Sequence, residues 1–503
     1  MKHFAFISLL VFLQLGVASA SDDFKSKYPF YAKSAKTHQM KVLHSGIAAL
    51  EARLRMIETA EESIEMEYFI FNANPSVRLL MQAVKERKKE RPNLKVRILI
   101  DKSAAVFSFD EFYAKFLKKV GIQVRYYNAA SIFQISTVQF RNHRKLFVVD
   151  GREAITGGRN LDDDYFDLSH HYNFNDRDIW VKGEIVTAME KSFDQYWQAG
   201  ITERPSNPKR PVLIKRYNKK DQERLDRNYR ENLIRYRNRY YAAKKLLKES
   251  DEDRELLAKA RGLGSIKLDE LNTYLCKDVT FATDLPGGNF KTRLESNNYK
   301  ETFRILRQTI MERVLAVDEK IFIDSPYLLL SPRTRKALNF LLDNKKQVSA
   351  YTNSLGSTDA VYVASVFNPE VKKWTGKEGF NVYLHRGAAL PGTETIDEEI
   401  KKAVWGTHSK TLVFDDDEVM VGTFNIDNRS SFYNSEMALF CNGNKALARD
   451  VLDNIEQRTN AGVHLGKDGR PDDGTDLLAN SGTFKKMIYH LLKGPAWILQ
   501  FLL

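Results

Sequence analysis

NHRKLFVVDG (residues 142–151) and THSKTLVFDD (residues 407–416) are nearly the same phrase written twice, 265 residues apart. Each has a His, a Lys two places later and an Asp five places after the Lys, with an apolar run between Lys and Asp. Each also continues alike, to GGRN ending at Asn160 and to GTFN ending at Asn425. Side chains alternate along a strand, so His143 and Lys145 share one face, as do His408 and Lys410. If the strand leading into each Asn pairs with the motif strand, the Asn joins its His and Lys. The glycines before the Asn let backbone and substrate approach closely.

The flanks repeat as well. The first motif is preceded by a helical stripe of Leu50, Leu54, Ile57 and Ala60, then by the strand SIEMEYFIF, the helix SVRLLMQAVKERKKE, the strand KVRILID, the helix FDEFYAKFLKKV and the strand IQVRYY. Before the second motif come the helix FRILRQTIMERVLAV, the strand KIFIDSPYLLL, the helix RTRKALNFLLDN, the strand QVSAYTN, the helix STDAVYVASVFNPEVKKW and the strand FNVYLH. Strand–helix alternation predicts an α/β fold with a mostly parallel sheet covered by helices. Two such units predict an internal duplication, with a first half over 21–202 and a second over 276–503. Between them, 203–275 forms a helical insertion. Pro205 and Pro208 mark the exit from the first half, and PGG at 286–288 the entry to the second.

A length of 503 residues exceeds one ordinary domain and fits two fused halves. The 43% of hydrophobic residues, with 30 Phe, exclude global disorder. The charge is unevenly placed. Of a net +13, +11 falls in residues 209–248, which hold 15 Lys and Arg against 4 acidic residues. From Asp221 no Pro or Gly occurs until Gly262, and Leu225, Tyr229, Leu233, Tyr236, Tyr240 and Leu247 recur at roughly helical spacing. A basic amphipathic helix suits an anionic surface, either phospholipid or nucleic acid. The plainer alternative is a solvated helix packed on one side, partly neutralised by the acidic ESDEDRE that follows.

Residues 1–20, MKHFAFISLLVFLQLGVASA, have the form of a secretory signal peptide, with one early Lys, a short apolar run and small residues for cleavage. They predict export to the periplasm or the medium, peripheral to a membrane, with a mature chain starting near Ser21. In an oxidising compartment Cys276 and Cys441 can pair, and their contexts equally suit two buried thiols. No later run reaches the roughly 18 apolar residues of a membrane-spanning helix. The apolar C-terminus, broken at Gly494-Pro495, either docks on the core or meets a membrane surface.

Two imidazoles, two ammonium groups and two amides, brought together, suit phosphoryl chemistry. One His attacks phosphorus while the other protonates the leaving oxygen. Lys145, Lys410, Asn160 and Asn425 then donate to the non-bridging oxygens. An attacking imidazole needs its other nitrogen held by an acceptor. The expected acceptors are Asp178, in FNDRDIWVKG, and Glu436, in YNSEMAL, 35 and 28 residues after their His. Asp150 and Asp415 end their strands and are read as structural, tying down the turn that follows. DDDYF (162–166) and IDNRSSFYN (426–434) are expected to be pocket-side loops. No metal or cofactor is expected, since no cluster has ligand spacing.

The duplicated H-x-K-x4-D with its trailing Gly-x-x-Asn resembles the signature of the phospholipase D superfamily, over about residues 40–200 and 280–460. SPYLLLSPRTRKAL, YTNSLGSTDAVYV and GTFNIDNRSSFYNSE are similar to the bacterial cardiolipin synthase-type branch. The resemblance implies two α/β/α sandwich halves with one site at their interface, a phosphohistidine intermediate and no metal. It implies His143 as nucleophile, His408 as acid/base, Lys145, Lys410, Asn160 and Asn425 on the phosphate, and Asp178 and Glu436 behind the imidazoles. The expected activity is a phosphodiesterase or phosphatidyltransferase acting on phospholipids, with residues 209–248 on an anionic membrane. The alternative is a secreted nuclease of the same chemistry, with the basic segment on nucleic acid.

Overall fold

The computed structural model describes residues 31–103, 106–129, 138–215, 219–248, 250–263, 267–287 and 304–494. The expected leader over residues 1–20 and the chain from Pro495 onward lie outside the described residues.

After β1 (Tyr31–Ser34), the first half runs β2 (His38–Leu43), α1 (Gly46–Thr59), β3 (Ser63–Tyr68), α2 (Pro75–Glu90), β4 (Lys95–Asp101), α3 (Glu111–Lys119) and β5 (Ile122–Tyr127). It continues with β6 (Leu146–Val149), β7 (Glu153–Gly157), β8 (Tyr172–Asn175), β9 (Asp178–Lys182), α4 (Ile185–Gln198) and β10 (Thr202–Glu203). The basic insertion supplies α5 (Lys219–Lys245) and α6 (Asp251–Gly262). Then come β11 (Tyr274–Cys276), β12 (Asp278–Thr283), α7 (Ile305–Leu315), β13 (Lys320–Asp324), α8 (Pro332–Asp343), β14 (Gln347–Asn353), α9 (Val361–Val371) and β15 (Phe380–His385). The chain closes with α10 (Glu398–Lys402), β16 (Val404–Thr407), β17 (Thr411–Phe414), β18 (Glu418–Gly422), α11 (Asn428–Phe432), β19 (Met437–Asn442), α12 (Lys445–Ala461), β20 (Val463–His464) and α13 (Thr483–Leu492). Helix starts follow local chemistry: the side chains of Ser45, Asp110 and Ser331 accept backbone N–H groups at the openings of α1, α3 and α8.

Two nine-stranded sheets result, in the orders β10-β5-β4-β3-β6-β7-β9-β2-β11 and β20-β15-β14-β13-β17-β18-β19-β12-β1. Written this way they correspond strand for strand, which is the duplication in three dimensions. The sheets are mixed rather than mostly parallel. Only β3-β4-β5 and β13-β14-β15 run parallel, and the remaining neighbours are antiparallel. The reason is that helices α2, α3, α8 and α9 make the crossovers, whereas the motif strands β6 and β17 lead into tight antiparallel hairpins with β7 and β18.

The halves exchange their outermost strands. β1, which precedes the first half, pairs with β12 in the second sheet, and β11, which precedes β12, pairs with β2 in the first. Residues 274–276, which span the expected start of the second half at 276, thus complete the first sheet. Cys276 on β11 and Cys441 on β19 form a disulfide, Cα to Cα 5.9 Å, so a covalent bond joins the two sheets. β8 and β16 add a parallel pair between the halves. Behind these links lies a shared apolar core, in which Val148, Ile179 and Phe193 meet Val413, Val421 and Leu439. Each sheet's other face carries its own core, under α1 and α2 in the first half and α7 to α9 in the second.

The basic helix α5 is packed on one side. Tyr236 and Tyr240 stand edge-on to Phe112 and Phe116 of α3, and Ala243 and Leu246 are buried. α6 is tied to the first half by a partly buried pair between Asp253 and Arg78, and by Arg261 with Glu51 and Glu58.

Candidate functional site

Both motif histidines sit just before their strands, at the seam between the halves. The His143 backbone N–H donates to Ser435 O and that of His408 to Asn175 O, each at 3.0 Å. Each half therefore presents its histidine to the chain of the other. The side chains complete the exchange. His143 Nδ1 lies 3.0 Å from both carboxylate oxygens of Glu436, and His408 Nδ1 lies 2.6 Å from Asp176 Oδ2. With Nδ1 engaged, Nε2 is the nitrogen each ring offers to a substrate.

Asp178, the acceptor expected from sequence, does not meet an imidazole. It lies inside β9, accepts from Arg53 Nη2 at 2.9 Å and from the Arg159 backbone N–H, and is buried with that arginine. The strand register gives the reason. Gly157 lies opposite Asp178 and Gly422 opposite Ala438, so Asp178 is the counterpart of Ala438 and Asp176 that of Glu436. Equal counting back from those glycine partners would have selected Asp176, whereas distance from the His alone did not.

The two carboxylates are held differently. Asp176 packs against Gly158, where a Cβ would fall 2.1 Å from Asp176 Oδ1. The place of Gly158 is taken in the second half by Thr423, whose hydroxyl donates to Glu436 Oε2, while Ser430 Oγ donates to Oε1 at 2.7 Å. Ser430 belongs to the 426–434 loop, and Tyr165, from DDDYF, stands edge-on to His408 at 5.1 Å between ring centres. Both loops thus reach the site. Phe174 also packs on His408, and Phe69 stands edge-on to His143. Phe69 and Phe174 belong to no motif that the sequence marks, and only the fold brings them to the histidines.

Lys410 Nζ lies 2.8 and 3.0 Å from the ring nitrogens of His408, and Lys145 Nζ donates to His143 O at 2.8 Å. Asn160 Oδ1 accepts from the Ile70 N–H, and Asn425 Oδ1 is buried without a partner among the described residues. His143, Lys145, Asn160, His408, Lys410 and Asn425 are all buried.

Asp150 and Asp415 stand at the far end of the motif strands, both in the left-handed region, with φ of 55° and 47°. Asp150 accepts the backbone N–H groups of Glu61, Glu62 and Ser63, and Asp415 those of Asp318, Glu319 and Lys320. Each carboxylate therefore caps the entry to the neighbouring strand, β3 or β13, rather than the hairpin turn that follows it.

Burial sets the electrostatics. It pushes both imidazoles well below their ordinary value, and the two lysines push the same way. Burial brings Lys145 down to about 7 and Lys410 to about 8, against the pull of Glu436 and Asp176. Burial raises Glu436 to about 7 and moves Asp176 upward, opposed by Lys145 and Lys410 respectively. Two neutral imidazoles beside two ammonium groups suit an anion whose charge grows during reaction.

The family described as cardiolipin synthase, PLD-like domain, matches the chain twice, over residues 54–197 and 315–459. An uncharacterized protein of Helicobacter pylori is 24% identical over 458 residues, 88% of this chain and 83% of that protein. Cardiolipin synthase C of Escherichia coli is 25% identical over 406 residues, 78% of this chain and 79% of that protein. The crystal structure of phosphatidylserine synthase from Haemophilus influenzae superposes with a TM-score of 0.59 at 16% identity, covering 92% of this chain and 95% of that one. This last likeness concerns the fold.

Proposed function

Because the chain belongs to the PLD-like domain family of cardiolipin synthase, and is thereby a phosphodiesterase or phosphatidyltransferase, we propose that it transfers a phosphatidyl group from one phospholipid to the hydroxyl of an acceptor alcohol through a phosphohistidine. The observation that carries this reading is the reciprocal pairing of His143 with Glu436 and His408 with Asp176. His143 Nε2 attacks phosphorus, the bond from phosphorus to the headgroup oxygen breaks, and His408 gives that oxygen its proton. In the second step His408 takes the proton of the acceptor hydroxyl, whose oxygen attacks phosphorus and releases His143. Lys145, Lys410, Asn160 and Asn425 hold the non-bridging oxygens throughout. An entering phosphodiester monoanion offsets the positive charge of the lysines, so substrate binding raises the proton affinity of His408 and readies it as the acid.

Phospholipid is favoured over nucleic acid by the cardiolipin synthase relative, which aligns along most of both chains. Export is part of the proposal. It is supported by the leader-like residues 1–20 and by the Cys276–Cys441 disulfide, a bond of oxidising compartments.

The test is mass spectrometry of lipids after incubation with mixed phosphatidylglycerol and phosphatidylethanolamine. Cardiolipin production supports transfer. Phosphatidic acid alone replaces transfer with hydrolysis, and DNA cleavage without lipid turnover overturns the phospholipid reading. His143→Ala and His408→Ala should each abolish turnover, and turnover retained in either variant overturns the two-histidine mechanism.

A further inference from the structure

The two elements added to the duplicated fold sit at equivalent places. α5 packs on α3, and α13 packs on α9. α3 and α9 are counterparts, since each follows the middle parallel strand of its sheet, β4 or β14. Each added helix also grips the start of its partner. Arg239 of α5 pairs with Asp110, the N-cap of α3, at 2.7 Å. Lys485 of α13 donates to Gly356 O and Thr358 O in the loop that opens α9.

Both grips lie a few side chains from the chemistry. Beside Asp110, Phe109 packs on Phe71, two residues from the Phe69 that stands against His143. Between Gly356 and Thr358, Ser357 O accepts from Tyr172, which packs on Phe174, and Phe174 packs on His408. Contacts therefore lead from α5 to the His143 side of the site and from α13 to the His408 side.

Most of the exposed large apolar side chains among the described residues lie on these two helices or just before α5. Phe484, Met487 and Leu491, at helical spacing on α13, are 69%, 51% and 68% exposed. On α5, Ile234 and Tyr241 are 57% and 60% exposed. They stand among the exposed Arg227, Arg230, Arg235, Arg237, Lys244 and Lys245. Val212, Leu213 and Ile214, just before α5, are exposed as well.

Resting on the phospholipid reading above, we propose that α5 and α13 form a two-sided platform that seats the two-histidine site on an anionic phospholipid bilayer. Apolar side chains of both helices enter the headgroup region, and the arginines and lysines of α5 meet lipid phosphate. Charge decides the occupant. The α5 face is cationic, so a bilayer carrying negative headgroups fits both its charge and its apolar residues, and a second copy of the same basic face does not.

The test uses the full chain and two variants, Phe484→Ser/Met487→Ser/Leu491→Ser and Ile234→Ser/Tyr241→Ser. It measures co-sedimentation with vesicles of phosphatidylglycerol and phosphatidylethanolamine, and turnover of a dispersed short-chain phospholipid. Each variant should bind vesicles at least tenfold more weakly while keeping short-chain turnover and its melting temperature. Undiminished vesicle binding in both variants overturns the platform. So does an equal loss of short-chain turnover, which would make the residues structural. Deletion of residues 495–503 should leave α13-dependent binding in place, and a gain in binding would instead make that segment the occupant of the α13 face. Vesicle binding that falls in the variants while the parent turns over no lipid would keep the platform and overturn the phospholipid reading.

Discussion

His143 and Glu436 are 293 residues apart in sequence, belong to opposite halves, and meet at 3.0 Å. His408 and Asp176 make the same exchange in the reverse direction at 2.6 Å. Neither motif histidine finds its carboxylate in its own half, so neither half can orient that imidazole alone.

It follows that Glu436→Gln and Asp176→Asn each remove the acceptor that fixes the ring, with the fold kept. Turnover should fall by roughly 100- to 10,000-fold, the scale of loss when such a carboxylate is made neutral. Asp178→Asn is the contrast. It breaks a fully buried pair with Arg53 and should cost about 3–5 kcal/mol of stability. Kinetics and thermal unfolding on the three variants separate the cases: a turnover loss at Asp178 larger than at Asp176, in protein that remains folded, would reverse the assignment.

The lysines predict the alkaline limb of activity. Lys145 near 7 and Lys410 near 8 are charged below these values and lose their charge as pH rises through them. Glu436, near 7, gains the charge that orients His143 as Lys145 loses its own, so the two changes oppose each other near pH 7 and kcat/KM should decline from about pH 8 upward, as Lys410 is neutralised. The imidazoles lie well below their ordinary value and are already neutral there, so they add no loss in that range. The limb in kcat should lie at higher pH, because bound phosphodiester favours the charged lysines. A kcat/KM that still climbs above pH 8, where Glu436 is already ionised, would remove Lys410 from phosphate binding.

Much of this site was legible because repetition is a strong signal. His143, Lys145 and Asn160 recur as His408, Lys410 and Asn425 at equal spacings, so chance is a poor account of them. The hairpin pairing of β6 with β7, and of β17 with β18, also followed from the pattern. Asp176 was not legible because the loops between β7 and β9 and between β18 and β19 differ in length, which breaks equal counting from the His. Sheet direction was missed for a related reason: strand and helix order reads the crossovers but not the hairpins that add antiparallel strands. The exchange of β1 and β11 is a long-range pairing of short segments, and nothing local in either encodes it.

Asp150 and Asp415 should behave unlike their motif partners. Each collects three backbone N–H groups at the start of a neighbouring strand. Both are partly solvated, so Asp150→Ala or Asp415→Ala should cost on the order of 1–3 kcal/mol in stability, the scale of leaving such donors unpaired. Activity per folded molecule at a permissive temperature should change by less than tenfold. Asp415 is held below the ordinary carboxylate value, where the three amides outweigh the cost of burial. A depressed carboxylate stabilises the fold above its unfolded value and loses that contribution as pH falls through its folded value. The Asp415→Ala deficit should therefore shrink in acid. A deficit that does not shrink, or turnover lost outright at full stability, would place the carboxylate in the chemistry instead.

The disulfide tests how the halves are held. Cys276 and Cys441 close a separation of 165 residues and tie the exchanged strand β11 to β19. Opening it should lower stability by about 2–4 kcal/mol, chiefly by freeing the unfolded chain. The His–carboxylate pairs also depend on the buried contacts of Arg177 with Asp324 and of Arg458 with the Asn175 carbonyl, which join the halves at the seam. These contacts survive reduction, so Cys276→Ser/Cys441→Ser should melt earlier yet keep turnover at low temperature. Unfolding with and without reductant, read beside turnover on the same samples, checks both statements. If reduction abolishes turnover while the protein stays folded, the covalent link rather than the buried contacts sets the geometry of the site.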